Sequence, residues 1–201
     1  MYLLVYVDDI IRISLLVSAA DRLVSALSGE FAITYLGWLH YFLGLEISHS
    51  EASLTLTQQK YYQDLLRRAG MLRCKAATTR MSASDRLSAL DGTLLSSDDA
   101  TEYRNIVGGL QYLMITRSDI SYAVNSVCKF LHAPRDTHWT AMKCILRYVR
   151  VTAALGLHLR PAPSSVLSVF FDPDWAGSPD DRPSTGDMQC FMVLSDRMEF
   201  S

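Results

Sequence analysis

Apolar residues fill positions 2–7 (YLLVYV) and resume at 10–13, so Asp8 and Asp9 stand inside an otherwise hydrophobic stretch. The pattern predicts a β-hairpin of 2–7 and 10–14 with Asp8-Asp9 as its two-residue turn. Such a turn needs left-handed backbone, which Asp tolerates better than most residues. Residues 20–31 repeat apolar positions at helical spacing, with Leu23, Leu27 and Phe31 on one face. The aromatic-rich stretch 33–47, punctuated by Gly37 and Gly44, predicts strands and a tight bend. A short strand at 53–56 follows, then a helix to Ala69, capped by Thr57, burying Tyr61, Leu65 and Leu66 and stopped by Gly70.

Residues 73–100 lose this periodicity and read as an irregular linker and a subdomain boundary. Helical spacing returns at 100–114 (Tyr103, Ile106, Val107, Leu110), at about 118–131 after a Ser118-Asp119 cap, and at 137–152 (Trp139, Met142, Ile145, Leu146, Val149). Beyond a second linker at 161–164, residues 165–171 alternate as a strand ended by Asp172, because Pro173 keeps Asp172 extended. A last strand is predicted at 189–194. There is no internal repeat.

The chain has 201 residues, of which 49% are hydrophobic, enough for the core of one domain or one and a half. Its net charge of −2 does not mark the whole chain as a nucleic-acid binder. Basic residues concentrate in 60–80 and 117–160, however, and Lys143, Arg147 and Arg150 share a flank of the last helix. That stripe suits either phosphates or plain solvation. Cys74, Cys128, Cys144 and Cys190 are too dispersed for a zinc site or disulfide framework, which fits a reducing environment. The histidines show no ligand spacing, and His132 and His138, beside a proline-containing loop, read as surface residues. Asp8, Asp9 and Arg12 interrupt the N-terminal apolar run, which also lacks a basic leader, so it is not read as a signal peptide. With no apolar run long enough for a membrane span, an intracellular location, cytoplasmic or nuclear, is expected.

Adjacent carboxylates repel unless a cation lies beside them, and a hard divalent ion with substrate phosphates is one solution. Tyr6-Val7-Asp8-Asp9 resembles the polymerase motif of reverse transcriptases. Further stretches resemble, in order, the polyprotein of copia-type long-terminal-repeat retrotransposons. They are Tyr35-Leu36-Gly37, Tyr41-Phe42-Leu43-Gly44-Leu45-Glu46, Gln58-Gln59-Lys60-Tyr61, Tyr103-Arg104-Asn105-Ile106-Val107-Gly108-Gly109-Leu110-Gln111-Tyr112-Leu113, Thr116-Arg117-Ser118-Asp119-Ile120, His138-Trp139, Ile145-Leu146-Arg147-Tyr148, Asp172-Pro173-Asp174-Trp175-Ala176-Gly177 and Asp180-Asp181-Arg182-Pro183-Ser184-Thr185-Gly186.

The resemblance implies an α+β fold. Residues 1–56 would be the end of a reverse-transcriptase palm, 57–160 a mainly helical thumb and connection, and 161–201 the truncated start of a ribonuclease H domain. Asp8 and Asp9 would be palm carboxylates for Mg2+ or Mn2+, and Asp172 the first ribonuclease H carboxylate, with Arg182, Ser184 and Thr185 in the turn after it. Tyr6 and Val7 would lie by the primer end and incoming nucleotide. Phe42, Leu43 and Gly44 would steady the primer terminus, and Lys60, Lys143, Arg147 and Arg150 would meet the backbone of an RNA/DNA template–primer. The rest of a polyprotein is the other implied partner. Individually, the bases also read as solvated, Gly44 as a simple bend, Asp174 as a turn cap, and Trp139 and Tyr148 as packing residues.

The family's third palm carboxylate would lie before Met1, and only about 30 residues resemble ribonuclease H, so no polymerase activity is expected of the isolated chain. Departures from the family pattern include Arg80, Ser118, Pro173, Pro183 and the stretch 188–201. Two alternatives stand beside an inactive fragment: an active segment of a longer product, and a non-catalytic nucleic-acid-binding or interaction protein. The hairpin's unpaired edges predict a poorly soluble or partly folded isolated chain.

Overall fold

The computed structural model describes residues 2–14, 16–51, 53–79, 87–160, 167–174 and 185–192, the last two stretches as backbone. Arg80, 161–164, Trp175–Gly177, Arg182, Pro183 and Ser184, singled out above, lie outside the described residues. The chain is mixed α+β, with small antiparallel sheets and five α-helices among the described residues.

Strands β1 (Tyr2–Tyr6) and β2 (Asp9–Ile13) form the expected hairpin, but its turn lies one residue earlier, at Val7-Asp8. The observed register sets Tyr2 opposite Ile13, whereas a turn at Asp8-Asp9 would have set Leu3 against Ser14. The left-handed residue is therefore Val7, at φ +50°, rather than an aspartate. Helix α1 (Val17–Glu30) half-buries Leu23, Val24 and Leu27. Phe31 does not continue that face: its backbone is extended at the helix end and its side chain is 65% exposed. Arg12 ties β2 to this region, lying over the Tyr35 ring at 5.4 Å and 3.6 Å from the Asp21 carboxylate.

Strands β3 (Tyr41–Phe42), β4 (Leu45–Ser50), β5 (Ser53–Thr57) and β6 (Leu157–Leu159) make a four-stranded sheet in that order. β6 was not legible as a strand, being three residues long; it pairs with β5 through Leu54↔Leu159 and Leu56↔Leu157. Helix α2 (Gln59–Arg68) starts without the expected Thr57 cap. Its early amide at Lys60 donates instead to the Glu46 carboxylate at 2.6 Å, so a strand of the sheet satisfies the helix start. The helix stops as expected: Gly70 is left-handed and the amides of Gly70 and Met71 return to Arg67 and Leu66 carbonyls.

Helices α2, α3 (Ser97–Leu113), α4 (Ser121–Cys128) and α5 (Asp136–Val151) enclose the core. α3 begins three residues earlier than its apolar period, because Ser96 caps it by accepting from the Asp99 amide at 3.2 Å. The predicted apolar faces hold: Tyr103, Ile106, Val107 and Leu110 of α3 and Met142, Ile145, Leu146 and Val149 of α5 are all buried in one core cluster. Tyr103 donates its hydroxyl to the Val127 carbonyl at 2.8 Å, and burial raises its pKa. A 3-10 turn at Ser118–Ile120 leads into α4. The expected Ser118-Asp119 cap does not form: neither the turn nor α4 has a side-chain cap, and Asp119 is engaged elsewhere. It accepts from the buried Arg117 at 2.7 and 2.9 Å and from the Tyr148 hydroxyl at 3.0 Å, while Arg117 also donates to the Thr152 carbonyl and hydroxyl. A charged, partly buried network thus fastens the α3–α4 corner to the end of α5.

The irregular stretch before α3 is pinned in its second half. Arg135 donates to the Ala89 and Gly92 carbonyls, Asp136 accepts from the Thr93 amide, and the Leu95 amide donates to the Pro134 carbonyl. His138 belongs to this clamp and is not a surface residue. It is fully buried, accepts from the Arg135 amide at 3.0 Å, bonds the Ser88 carbonyl at 3.0 Å through its other nitrogen, and stacks on Phe130.

Strands β7 (Leu167–Asp174) and β8 (Thr185–Met192) pair from Leu167↔Met192 to Asp174↔Thr185. Asp172 therefore does not end its strand, because in a two-stranded ribbon Pro173 can turn its nitrogen to the free edge. β8 likewise starts before residue 189.

Candidate functional site

Two hairpin turns carry the unusual backbone of this molecule. Val7 (φ +50°) and Leu43 (φ +48°) are the non-glycine residues with left-handed φ among the described residues. A side chain in that region is disfavoured by roughly 1–2 kcal/mol, and a β-branched valine there is a marked outlier. Packing does not offset this at Val7, which is 80% exposed. The hairpins touch: the Tyr6 ring meets the Phe42 ring edge-on at 6.5 Å. Asp8 thus sits in one strained turn, with Asp9 beginning β2 opposite Tyr6, beside a second strained turn at Leu43-Gly44.

Both carboxylates are exposed. Their oxygens suit a hard cation such as Mg2+, but no group of three histidine, cysteine, aspartate or glutamate side chains able to hold a metal occurs among the described residues. Asp172 lies in β7 opposite Asp187.

The β3–β4 turn is held from the helical core. Gly44 (φ +79°) completes it, and a Cβ there would stand 3.6 Å from the Tyr112 ring and 3.8 Å from Tyr61. Tyr112, near the end of α3, donates its hydroxyl to the Leu43 carbonyl and meets the Tyr61 ring at 5.0 Å. Burial raises the Tyr112 pKa, with further upward contributions from Tyr61, Tyr41 and Tyr6. Lys60, exposed at the start of α2, lies 5.7 Å above the Tyr41 ring.

Of the predicted site residues, Tyr6, Val7, Asp8, Asp9, Phe42, Leu43, Gly44 and Lys60 fall in or beside the two hairpins. Lys143, Arg147 and Arg150 lie along α5 at helical spacing. Arg147 is exposed, Arg150 is half-buried, and Lys143 rests on the Trp139 ring at 5.1 Å. Trp139 and Tyr148 pack against the core. Tyr112 and Glu46 received no role from sequence reasoning, and Tyr61, expected on the buried face of α2, is only half-buried, with Tyr62 taking its place in the core. The available signal was their place inside the matched stretches, flanking the glycine-containing turn they support.

The chain is 44% identical over 184 residues to the retrovirus-related Pol polyprotein from transposon RE2 of Arabidopsis thaliana, a match covering 92% of this chain and 12% of that protein. It is 34% identical to the corresponding polyprotein from transposon TNT 1-94 of Nicotiana tabacum, over 91% of this chain and 14% of the relative. An uncharacterized mitochondrial protein of Arabidopsis thaliana is 40% identical over 92% of this chain and 76% of its own length. The chain thus spans about an eighth of the polyproteins it matches. No family model matches the chain. No solved structure matches it either.

Proposed function

The chain belongs to the copia-type retrotransposon Pol polyproteins, and from that premise we propose that it is part of a reverse transcriptase. In this reading 1–56 end the palm, 57–160 form the thumb and connection, and 161–201 begin ribonuclease H. The observation that carries it is the pair of strained turns joined through Tyr6 and Phe42, with Asp8 and Asp9 at one of them. Strained backbone persists where surrounding structure over-determines it, and it concentrates at sites of chemistry and ligand clamping.

Asp8 and Asp9 would hold Mg2+ or Mn2+ together with nucleotide phosphates, and the ion when bound supplies charge neutralisation for phosphoryl transfer. Asp172 would do the same in the ribonuclease H part. The chain's own groups position the nucleic acid. Tyr6 and Val7 flank the place of the primer end, Phe42-Leu43-Gly44 braces it, and Lys60, Lys143, Arg147 and Arg150 meet phosphates, which gives affinity without base choice.

The basic residues spaced along α5, Lys143, Arg147 and Arg150, support a second reading, a nucleic-acid binder that does not polymerise. Primer extension with Mg2+ or Mn2+ separates the two. We expect no template-dependent synthesis above an Asp8→Asn control, and synthesis above it would restore the catalytic reading. Binding to an RNA–DNA hybrid tests what both share. Affinity should fall with salt, and replacing Lys143, Arg147 and Arg150 by glutamine should flatten the log–log slope by about 2–3. An unchanged slope would remove α5 from the interface.

A further inference from the structure

We propose that Tyr112 is the positioning residue of the two-hairpin site: its hydroxyl on the Leu43 carbonyl fixes the β3–β4 turn against the Asp8-Asp9 hairpin, and so sets where a recessed DNA 3′ end is presented. This rests on the reverse-transcriptase reading. Leu43-Gly44 is a two-residue turn with both residues left-handed, a geometry that Asn-Gly adopts with least strain. Leu43 is partly exposed, so burial of its side chain does not explain why the strained conformer is kept. Tyr112 does explain it. A left-handed Leu43 turns its carbonyl toward the hydroxyl, and Gly44, whose φ of +79° favours glycine, lies against the Tyr112 and Tyr61 rings.

The Tyr112 end of the contact is itself fixed. Leu110 and Leu113 on either side are buried in the core. The buried Gln58 donates to the Tyr112 carbonyl at 3.5 Å and accepts from Thr116 at 2.8 Å, so the backbone of 112 cannot shift without breaking a second set of bonds. On the other side Phe42, next to Leu43 and buried, carries the constraint to Tyr6, one residue before the strained turn. Core helix, brace and carboxylate hairpin thus form one continuous chain of contacts. Tyr112 does not reach the reacting atoms; it acts through the turn.

The test uses the full chain, wild type and Tyr112→Phe, which keeps the ring and removes only the donor. Two measurements are made: amide hydrogen exchange, and binding to an RNA–DNA hybrid with a recessed DNA 3′ end against a blunt hybrid of equal length. Losing one hydrogen bond should speed exchange roughly 3- to 10-fold in 42–46 and in 6–9. Exchange in 103–110 and 141–149 should be unchanged, and the preference for the recessed hybrid should drop by a similar factor with blunt-hybrid affinity intact. Unaltered exchange in 42–46 overturns the proposal. So does a uniform rise across the helical core with equal loss of both hybrids, which would mark Tyr112 as ordinary packing. If exchange changes in the two hairpins but the wild type binds neither hybrid, the reverse-transcriptase reading fails and the role in presenting a DNA end falls with it.

Discussion

Val7 concentrates the residue-scale lesson. It is β-branched, left-handed and exposed, so nothing in its own packing repays the conformation. Val7→Gly should therefore stabilise the chain by up to about 1 kcal/mol, read as a small rise in the thermal midpoint; a fall would show that contacts of the valine hold the turn. The carboxylates next to it were legible from the motif, since Asp8 and Asp9 are the polar break in an apolar run. Which residue bears the strain was not. Asp is the better turn former, and only the pairing of Tyr6 with Asp9 moves the turn onto Val7. His138 misled for a similar reason. Its place beside a proline-containing loop suggests surface, while its partners, the Ser88 carbonyl and Phe130, come from elsewhere in the chain.

At the scale of elements, period-based reading located the helices because their burial is one-sided: Tyr103, Ile106, Val107 and Leu110 recur at helical spacing and are all buried. Element ends were less legible, because the groups that satisfy them come from afar. Glu46 serves the start of α2, and Arg135 with Asp136 grips the 89–93 backbone. Such bonds leave no period in the sequence. Close helix packing has the same character. At Gly109 a Cβ would stand 2.5 Å from Leu65 Cδ1, and Leu65 is buried, so α2 and α3 approach at a position where a side chain does not fit. Gly109→Ala should cost about 1–3 kcal/mol, measurable as a lowered denaturation midpoint. Gly108→Ala on the open side of the same helix is the control, expected to be neutral or mildly stabilising.

Across the whole molecule, burial is uneven. The four core helices hold most of the buried side chains, whereas Tyr2, Leu3, Leu4, Val5, Tyr6 and Val7 are all exposed on a two-stranded ribbon. A lone ribbon of this kind is marginally stable in water, and its apolar faces and free edge invite association. The full chain should show concentration-dependent light scattering, reduced by Leu4→Lys with little change in the thermal midpoint of the helical core. Scattering that ignores that substitution would place the sticky surface elsewhere. The helical core rests on periodicity that one sequence displays. The two-hairpin site depends on its resemblance to a family, and on contacts such as Tyr6 with Phe42 that spacing alone does not reveal.

The short strand β6 carries one more consequence. It completes the sheet by pairing with β5 across a gap in which Thr55 and His158, hydrogen-bonded at 2.9 Å, are 103 residues apart. Closing so long a loop is entropically late work, since local contacts form before distant ones repay the ordering of the chain. The four helices between those strands must collapse first and bring residue 157 within reach. The sheet that carries the Leu43-Gly44 turn is therefore finished from beyond the far end of α5, and β6 is where its edge would first come undone.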